Sequence, residues 1–528
     1  MMSFGRCTIV RICVQRACVV LGLGLCVVPL LVMLVLLFRD QGQWSCVGLI
    51  ELITQRERLT HLLLNSLQVV GVTVGVALLF GVPFGVLIFR TAFPFRRFWM
   101  VACLVCACLP VYVTATGWMA LWGILPMMHN TWAAGWIQGV ATMPMASLIV
   151  GAASCLVDPD LEDAARMDAH GAVAALRVQA PVLGWGIAMA ALGVMVLALW
   201  DVTVTDILII RTFGEEVFTQ FQLGAGASRA LALALPTLAL AGVACGGLVW
   251  VGRRASAVPL MARLRSPRLL PLGVWRIPAL LLCVGLGVLL MGVPFWALLK
   301  DLGSLAALTA AWRVASTELL YTLTVTPLAA LLTLALALPL VWRMVHYARW
   351  RFALATLLVV WLCVPAPVVG ITLIYCLNQP VLDGLLYDTW GAVVVCHTLR
   401  ALPFVALVLL PAVAQTPRDV RDACAVDGVP AASLFFRVIL PMHWRSLLVG
   451  FCVAFVLSLA ELGATYLVIP PGKTTLSVRF FTLIHYGVYS DAAGLCLMLS
   501  MIVAFVAGIP ALLLLPFRAR PCGPAGSN

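Results

Sequence analysis

Charge is what this sequence has least of. Only 10% of its 528 residues are charged and 63% are hydrophobic, with a mean hydropathy of +1.09. A soluble globular chain is nearer half apolar and about a quarter charged, so this composition reads as an integral membrane protein. No stretch is polar enough to form a separate soluble domain. Catalytic groupings are missing as well: there is no Ser/His/Asp set, no H-E-x-x-H and no paired carboxylates, so intramembrane enzyme chemistry has no visible machinery. The 18 cysteines are scattered. Their one cluster, Cys103, Cys106 and Cys108, has no His or carboxylate beside it, so it reads as small apolar filler and no metal site is expected. The apolar run from Cys18 to Phe38 lacks an A-x-A cleavage site and is longer than the ~7–15 residues of a signal-peptide core. It is expected to stay as a first span, with the N-terminus in the cytoplasm.

Long apolar runs are abundant. Lipid cannot satisfy exposed backbone groups, so runs of about twenty apolar residues cross as helices. Twelve are expected, near 18–38, 62–89, 98–125, 132–157, 181–200, 228–252, 277–299, 317–341, 352–377, 389–414, 446–467 and 492–517. The net charge of +12 lies in the short loops between them, which argues for topology and against nucleic acid. With the N-terminus inside, the cytoplasmic loops hold Arg90, Arg96 and Arg97, then Arg166 and Arg177, and the run from Arg253 to Arg268. Further along they hold Arg343, Arg349 and Arg351, then Arg418, Arg421 and Arg437, and Arg518 and Arg520. Few basic residues fall on the other side, and the C-terminus is also expected in the cytoplasm.

The chain repeats itself. Asp163 and Asp422, Pro144 and Pro403, and Asp168 and Asp427 are each 259 residues apart. Asp201 and Glu461, and Thr205 and Thr465, are 260 apart; Phe218 and Phe481, and Gly224 and Gly487, are 263 apart. Offsets that drift slowly are the mark of duplication followed by small insertions. Six spans per copy is an even number, so both copies point the same way, unlike the inverted repeats of many secondary transporters. The expected organisation is a first repeat at 1–255 with a polar loop at 158–181, a cytoplasmic linker at 256–275, and a second repeat at 276–528 with its loop at 415–441.

Those two loops carry the most specific signal. The second reads Asp422-Ala423-Cys424, then Asp427-Gly428, and closes on Leu440-Pro441; the first keeps Asp163, Ala164, Ala165 and Asp168. The first is one residue shorter, with Ala169 where the glycine belongs and Gly171 two places later. At these residues the chain resembles the permease subunits of binding-protein-dependent ABC importers, whose loop reads E-A-A, then D-G, then L-P. The resemblance implies an all-α membrane protein of about 12 transmembrane helices, two parallel six-helix repeats in the type I ABC importer permease architecture. It implies that Asp163, Ala164, Ala165, Asp168, Gly171, Asp422, Ala423, Cys424, Asp427 and Gly428 dock on an ABC ATPase homodimer, which alone holds ATP and Mg. It also implies an external or periplasmic solute-binding protein, a bacterial inner membrane, and no enzymatic activity or bound cofactor in this chain. The stretches Thr203–Phe221 and Glu461–Gly487 further resemble fused ferric-iron permeases, with thiamine and phosphonate systems as alternatives. An ion-coupled secondary transporter is the reading from another class, and it lacks the midplane carboxylates it would need.

"PPGKTT" at Pro470–Thr475 is not a phosphate loop, because Leu467 stands where the first glycine is required. The aromatics and His485 of Arg479–Tyr489 read as an interfacial belt. Ionisable groups in or beside spans are functional candidates by default: Asp201, His397, Arg400 and Glu461. Arg400 lies 14 residues before the inner end of its span, about 21 Å at helical rise, too deep to snorkel. It either lines the pathway or pairs with a carboxylate or carbonyl to lock two helices.

Overall fold

The computed structural model describes residues 2–40, 43–122, 130–157, 164, 167, 171–224, 226–255, 269–270, 272–429 and 431–514. Among the described residues nine helices are long and apolar enough to cross a membrane, and three bent pairs, each counted as one broken span, give up to twelve. The straight spans are the first (Ala17–Leu37), second (Arg56–Arg90), fourth (Thr131–Ser154), fifth (Gln179–Trp200), sixth (Ala227–Arg253), seventh (Gly273–Leu302), eighth (Ser316–His346), tenth (Trp390–Ala414) and twelfth (Tyr489–Leu512).

The third, ninth and eleventh spans are bent where the sequence reading has single helices. The third breaks by 94° between Arg96–Cys108 and Val111–Leu121, and the ninth by 109° between Ala348–Cys363 and Ala366–Leu377. Both breaks stand at a proline, Pro110 and Pro365. Proline disfavours the helical conformation at the residue before it, and here Leu109 (ψ 137°) and Val364 (ψ 117°) are extended, whereas prolines such as Pro144 and Pro403 stay inside continuous helices. The eleventh bends by 74° between Phe435–Met442 and Trp444–Ala460, just after a π turn at Phe435–Ile439. It ends at Ala460 rather than near 467, so Glu461 lies beyond the helix and not inside it.

The chain gathers into two compact units, and neither is a contiguous half. One comprises Met1–Arg56, Glu216–Leu238 and Ala310–Val488; the other comprises Glu57–Glu215, Ala239–Thr309 and Tyr489–Asn528. Within the first unit, the first span packs on the eighth and ninth. The Trp361 indole N–H donates to the Cys26 carbonyl at 3.1 Å, and a Cβ on Gly22 would meet Leu340 Cδ1 at 3.3 Å. Within the second unit, the seventh span lies so close to the third that a Cβ on Gly117 would fall 2.5 Å from Pro294 Cα. Small residues allow this backbone approach, which is how helices associate where lipid offers no hydrophobic drive. Cys103 and Cys106 are buried and Cys108 half-buried in this unit, and no group of three or more His, Cys, Asp or Glu among the described residues could hold a metal.

Candidate functional site

The loop after the tenth span begins with the helix Arg418–Val426. Asp422, Ala423 and Asp427 are exposed on it and Cys424 is half-buried. The helix stops because Gly428 takes a left-handed conformation, φ 65°, which glycine adopts without penalty. The Asp427 N–H donates to the Ala423 carbonyl at 2.9 Å and the Val429 N–H to the Cys424 carbonyl at 2.8 Å, the closing pattern of a glycine C-cap. Val426 at the end of the helix is 87% exposed. At the base of the loop, the buried Thr416 hydroxyl and His443 Nε2 lie 3.0 Å apart. That bond carries no sequence signal, because neither residue repeats in the other half. In the first loop, Asp163, Ala165 and Asp168 lie outside the described residues; Ala164 is exposed, and Gly171 opens the helix Gly171–Trp200.

Asp201 and Glu461 occupy matching places, each just past the last turn of the fifth or eleventh span. Their carboxylates accept nearby backbone N–H groups: Thr203 N–H at 3.1 Å for Asp201 and Ala464 N–H at 3.1 Å for Glu461. Partners from the preceding long span then differ. Arg400 Nε donates to Glu461 Oε2 at 2.9 Å, with side chains only 10% and 8% exposed. Arg400 Nη1 also donates to the Val364 carbonyl at 3.2 Å, one of the acceptors freed where the ninth span breaks. Arg400 therefore ties the interior of the tenth span to the end of the eleventh and the break in the ninth. One turn away, His397 is 1% exposed, with Nε2 2.9 Å from the Thr465 hydroxyl. In the other unit the position 259 residues before His397 is Gln138, whose amide donates to Asp201 Oδ2 at 3.0 Å. The Thr73 hydroxyl lies 3.2 Å from the Gln138 carbonyl oxygen. The position 259 residues before Arg400 is Ala141.

A second pair of hydrogen bonds matches across the chain. Phe213 N–H donates to Ser66 Oγ at 3.1 Å, and Leu476 N–H donates to Thr322 Oγ1 at 2.9 Å. Lys473 sits in a turn, its N–H donating to the Pro470 carbonyl at 3.2 Å. Thr475 caps the helix Leu476–His485 by accepting the Val478 N–H, so "PPGKTT" is a turn and a cap. The aromatic belt is only partly at the surface. Tyr486 and Tyr489 are exposed, whereas Phe480 is fully buried and Phe481 is 9% exposed, packed against Tyr466 and Phe218 at ring distances of 5.2 and 6.3 Å.

Comparison with known proteins follows the same lines. Residues 329–516 match the family of binding-protein-dependent transport system inner membrane components. The chain is 24% identical over 487 residues to the Fe(3+)-transport system permease protein FbpB 2 of Haemophilus influenzae, covering 87% of this chain and 90% of that one. It is 27% identical over 136 residues to the putrescine transport system permease protein PotI of Escherichia coli, covering 26% of this chain and 47% of the relative. It is 29% identical over 179 residues to the molybdenum transport system permease protein ModB of Mycobacterium bovis, covering 32% and 64%.

Proposed function

We propose that this chain, whose residues 329–516 match the binding-protein-dependent transport system inner membrane components, is the fused permease of an ATP-driven ferric-iron importer. The observation that carries the choice of cargo is the reach of the likeness to the Haemophilus iron permease, 87% of this chain and both halves of it. The putrescine, molybdenum and 2-aminoethylphosphonate permeases match over a third of the chain or less. Thiamine or phosphonate is the second reading for the same architecture.

In this reading the two halves are parallel repeats, and the matching bonds Phe213–Ser66 and Leu476–Thr322 support the correspondence. ATP and Mg are held by a separate ATPase homodimer. The exposed face of Arg418–Val426, with Asp422, Ala423, Asp427 and Gly428, receives its motion; Asp163, Ala164, Ala165, Asp168 and Gly171 do the same for the first repeat. Both termini and both loops face the cytoplasm of an inner membrane, and an external binding protein delivers the solute. Arg400, His397 and Glu461 act as a lock rather than a pathway lining, a reading supported by the bonds from Arg400 to Glu461 and the Val364 carbonyl.

The test is uptake of labelled ferric ion at trace concentration in cells with and without this chain, other iron importers being deleted. Loss of uptake on deletion supports iron. Unchanged uptake discards iron, and thiamine and 2-aminoethylphosphonate are tried next.

A further inference from the structure

The segment joining Asp201 to Phe213 contains a backbone conformation its sequence disfavours. The short helix Thr203–Ile207 closes with Ile209 N–H donating to the Asp206 carbonyl at 2.9 Å and Ile210 N–H to the Thr205 carbonyl at 2.7 Å. The Ile210 bond spans its turn as the Val429 bond spans that at Gly428, but the left-handed residue here is Ile209, φ 56°. A β-branched side chain in that region is a genuine outlier. Ile209 is 78% exposed, while Leu208 and Ile210 on either side are 1% and 5% exposed. Little of the Ile209 side chain is therefore packed, and its two buried neighbours hold it there.

Both ends of the segment are pinned. Asp201 is held by Gln138, Phe213 N–H by Ser66, and the Arg211 carbonyl by the Asn65 amide at 3.0 Å. The counterpart segment runs from Glu461 to Leu476 and is three residues longer, 15 steps against 12. The isoleucine 260 residues on, Ile469, is extended, φ −69° and ψ 133°. The positive φ that a turn needs is there taken by Gly472, φ 74°. One residue type thus occurs in two backbone states at matching places.

We propose that Asp201–Phe213 is a two-state strap, strained in the turn form seen here and relaxing to an extended form like that around Ile469. Strain of this kind clusters at active sites, ligand clamps and switch segments, and a bistable element needs only a small bias to switch. Asp201 is held by neutral and backbone donors, so leaving the turn form breaks no ion pair there. The inference does not depend on which solute is carried.

The test is amide hydrogen exchange, read by mass spectrometry, on the full chain in lipid nanodiscs. Peptides covering 203–213 are compared with those covering 463–475. Exchange in native conditions reports local opening. The strap is expected to be less protected than its counterpart. Ile209→Gly, and independently Ile209→Asn, relieve the left-handed strain and are expected to slow exchange of the Ile210 amide about tenfold, the equivalent of about 1.4 kcal/mol. The asparagine variant excludes an effect of glycine's own flexibility, since asparagine tolerates the conformation with a side chain present. Slower exchange in both variants supports the strap. Unchanged or faster exchange in either overturns it, whatever the difference between the two wild-type segments.

Discussion

The two carboxylates past the fifth and eleventh spans solve one problem by different means. Each closes the end of a span by accepting backbone N–H groups, yet Glu461 faces a guanidinium and Asp201 an amide. A buried ion pair is not a large net stabiliser, because desolvation offsets most of the attraction, but half of one is very costly. Around Glu461, Arg400 and the Val364 carbonyl are therefore bound into one cluster. Among the described residues the end at Asp201 has no such charged partner, and its segment also carries the left-handed Ile209.

The comparison breaks most easily at Glu461. Glu461→Gln keeps an oxygen for the Ala464 N–H but strands the Arg400 charge in a site about nine-tenths buried. A loss of about 3–5 kcal/mol is expected, read as a fall in the thermal unfolding midpoint of purified protein. Arg400→Met combined with Glu461→Gln should recover part of it, since no charge is then left unpaired. If the single variant is as stable as the parent, the lock does not exist.

How far the sequence foretold this lock is instructive. Glu461 and Arg400 stood out because charge beside apolar runs is rare, and pairing was one of two expected outcomes. The third partner was hidden: the Val364 carbonyl is freed by the break at Pro365, but prolines such as Pro144 and Pro403 lie inside unbroken spans, so the sequence does not say which proline breaks its helix. Twelve spans were legible from apolar length alone. The grouping of the first span with the eighth to eleventh was not, because hydropathy says which segments enter the membrane and nothing about neighbours. Ile209 gave no sign at all. In "TDILIIRTF" an isoleucine looks well placed for extended backbone, and only the three-residue shortening of the loop forces it to turn.

Asp201→Asn sharpens the contrast from the other side. The neutral side chain keeps its size, and the Gln138 amide can turn to present its oxygen, leaving Thr73 to readjust. The expected cost is about 1 kcal/mol, that of an ordinary hydrogen bond, well below that of Glu461→Gln. Equal losses in the same melting experiment would mean that Asp201 also has a charged partner, and the asymmetry would collapse.

Gly428 offers the inverse of the Ile209 experiment. A Cβ added there meets nothing within 4 Å, so Gly428→Ala costs only backbone strain, about 1 kcal/mol, confined to an exposed loop. Global melting should hardly move. If the loop transmits ATPase closure, solute-stimulated ATP hydrolysis by the assembled transporter should fall while the ATPase still copurifies. Full stimulation in the alanine variant would remove Gly428 from the coupling path.

The smallest effect is expected at the base of that loop. The Thr416 hydroxyl has one proton, and its bond to the Val413 carbonyl at 2.8 Å uses it. Thr416 must then accept from His443, which fixes the hydrogen on Nε2. Thr416→Val removes both bonds at nearly constant volume and leaves the His443 N–H unpaired in a buried site, for about 1 kcal/mol. Thr416→Ser restores donor and acceptor and should return most of that stability. A valine variant indistinguishable from the serine variant would show that the loop is held by the packing of Phe435 and Trp342 and not by this bond. The loop's anchor would then be apolar, with its polar chemistry confined to the exposed helix above it.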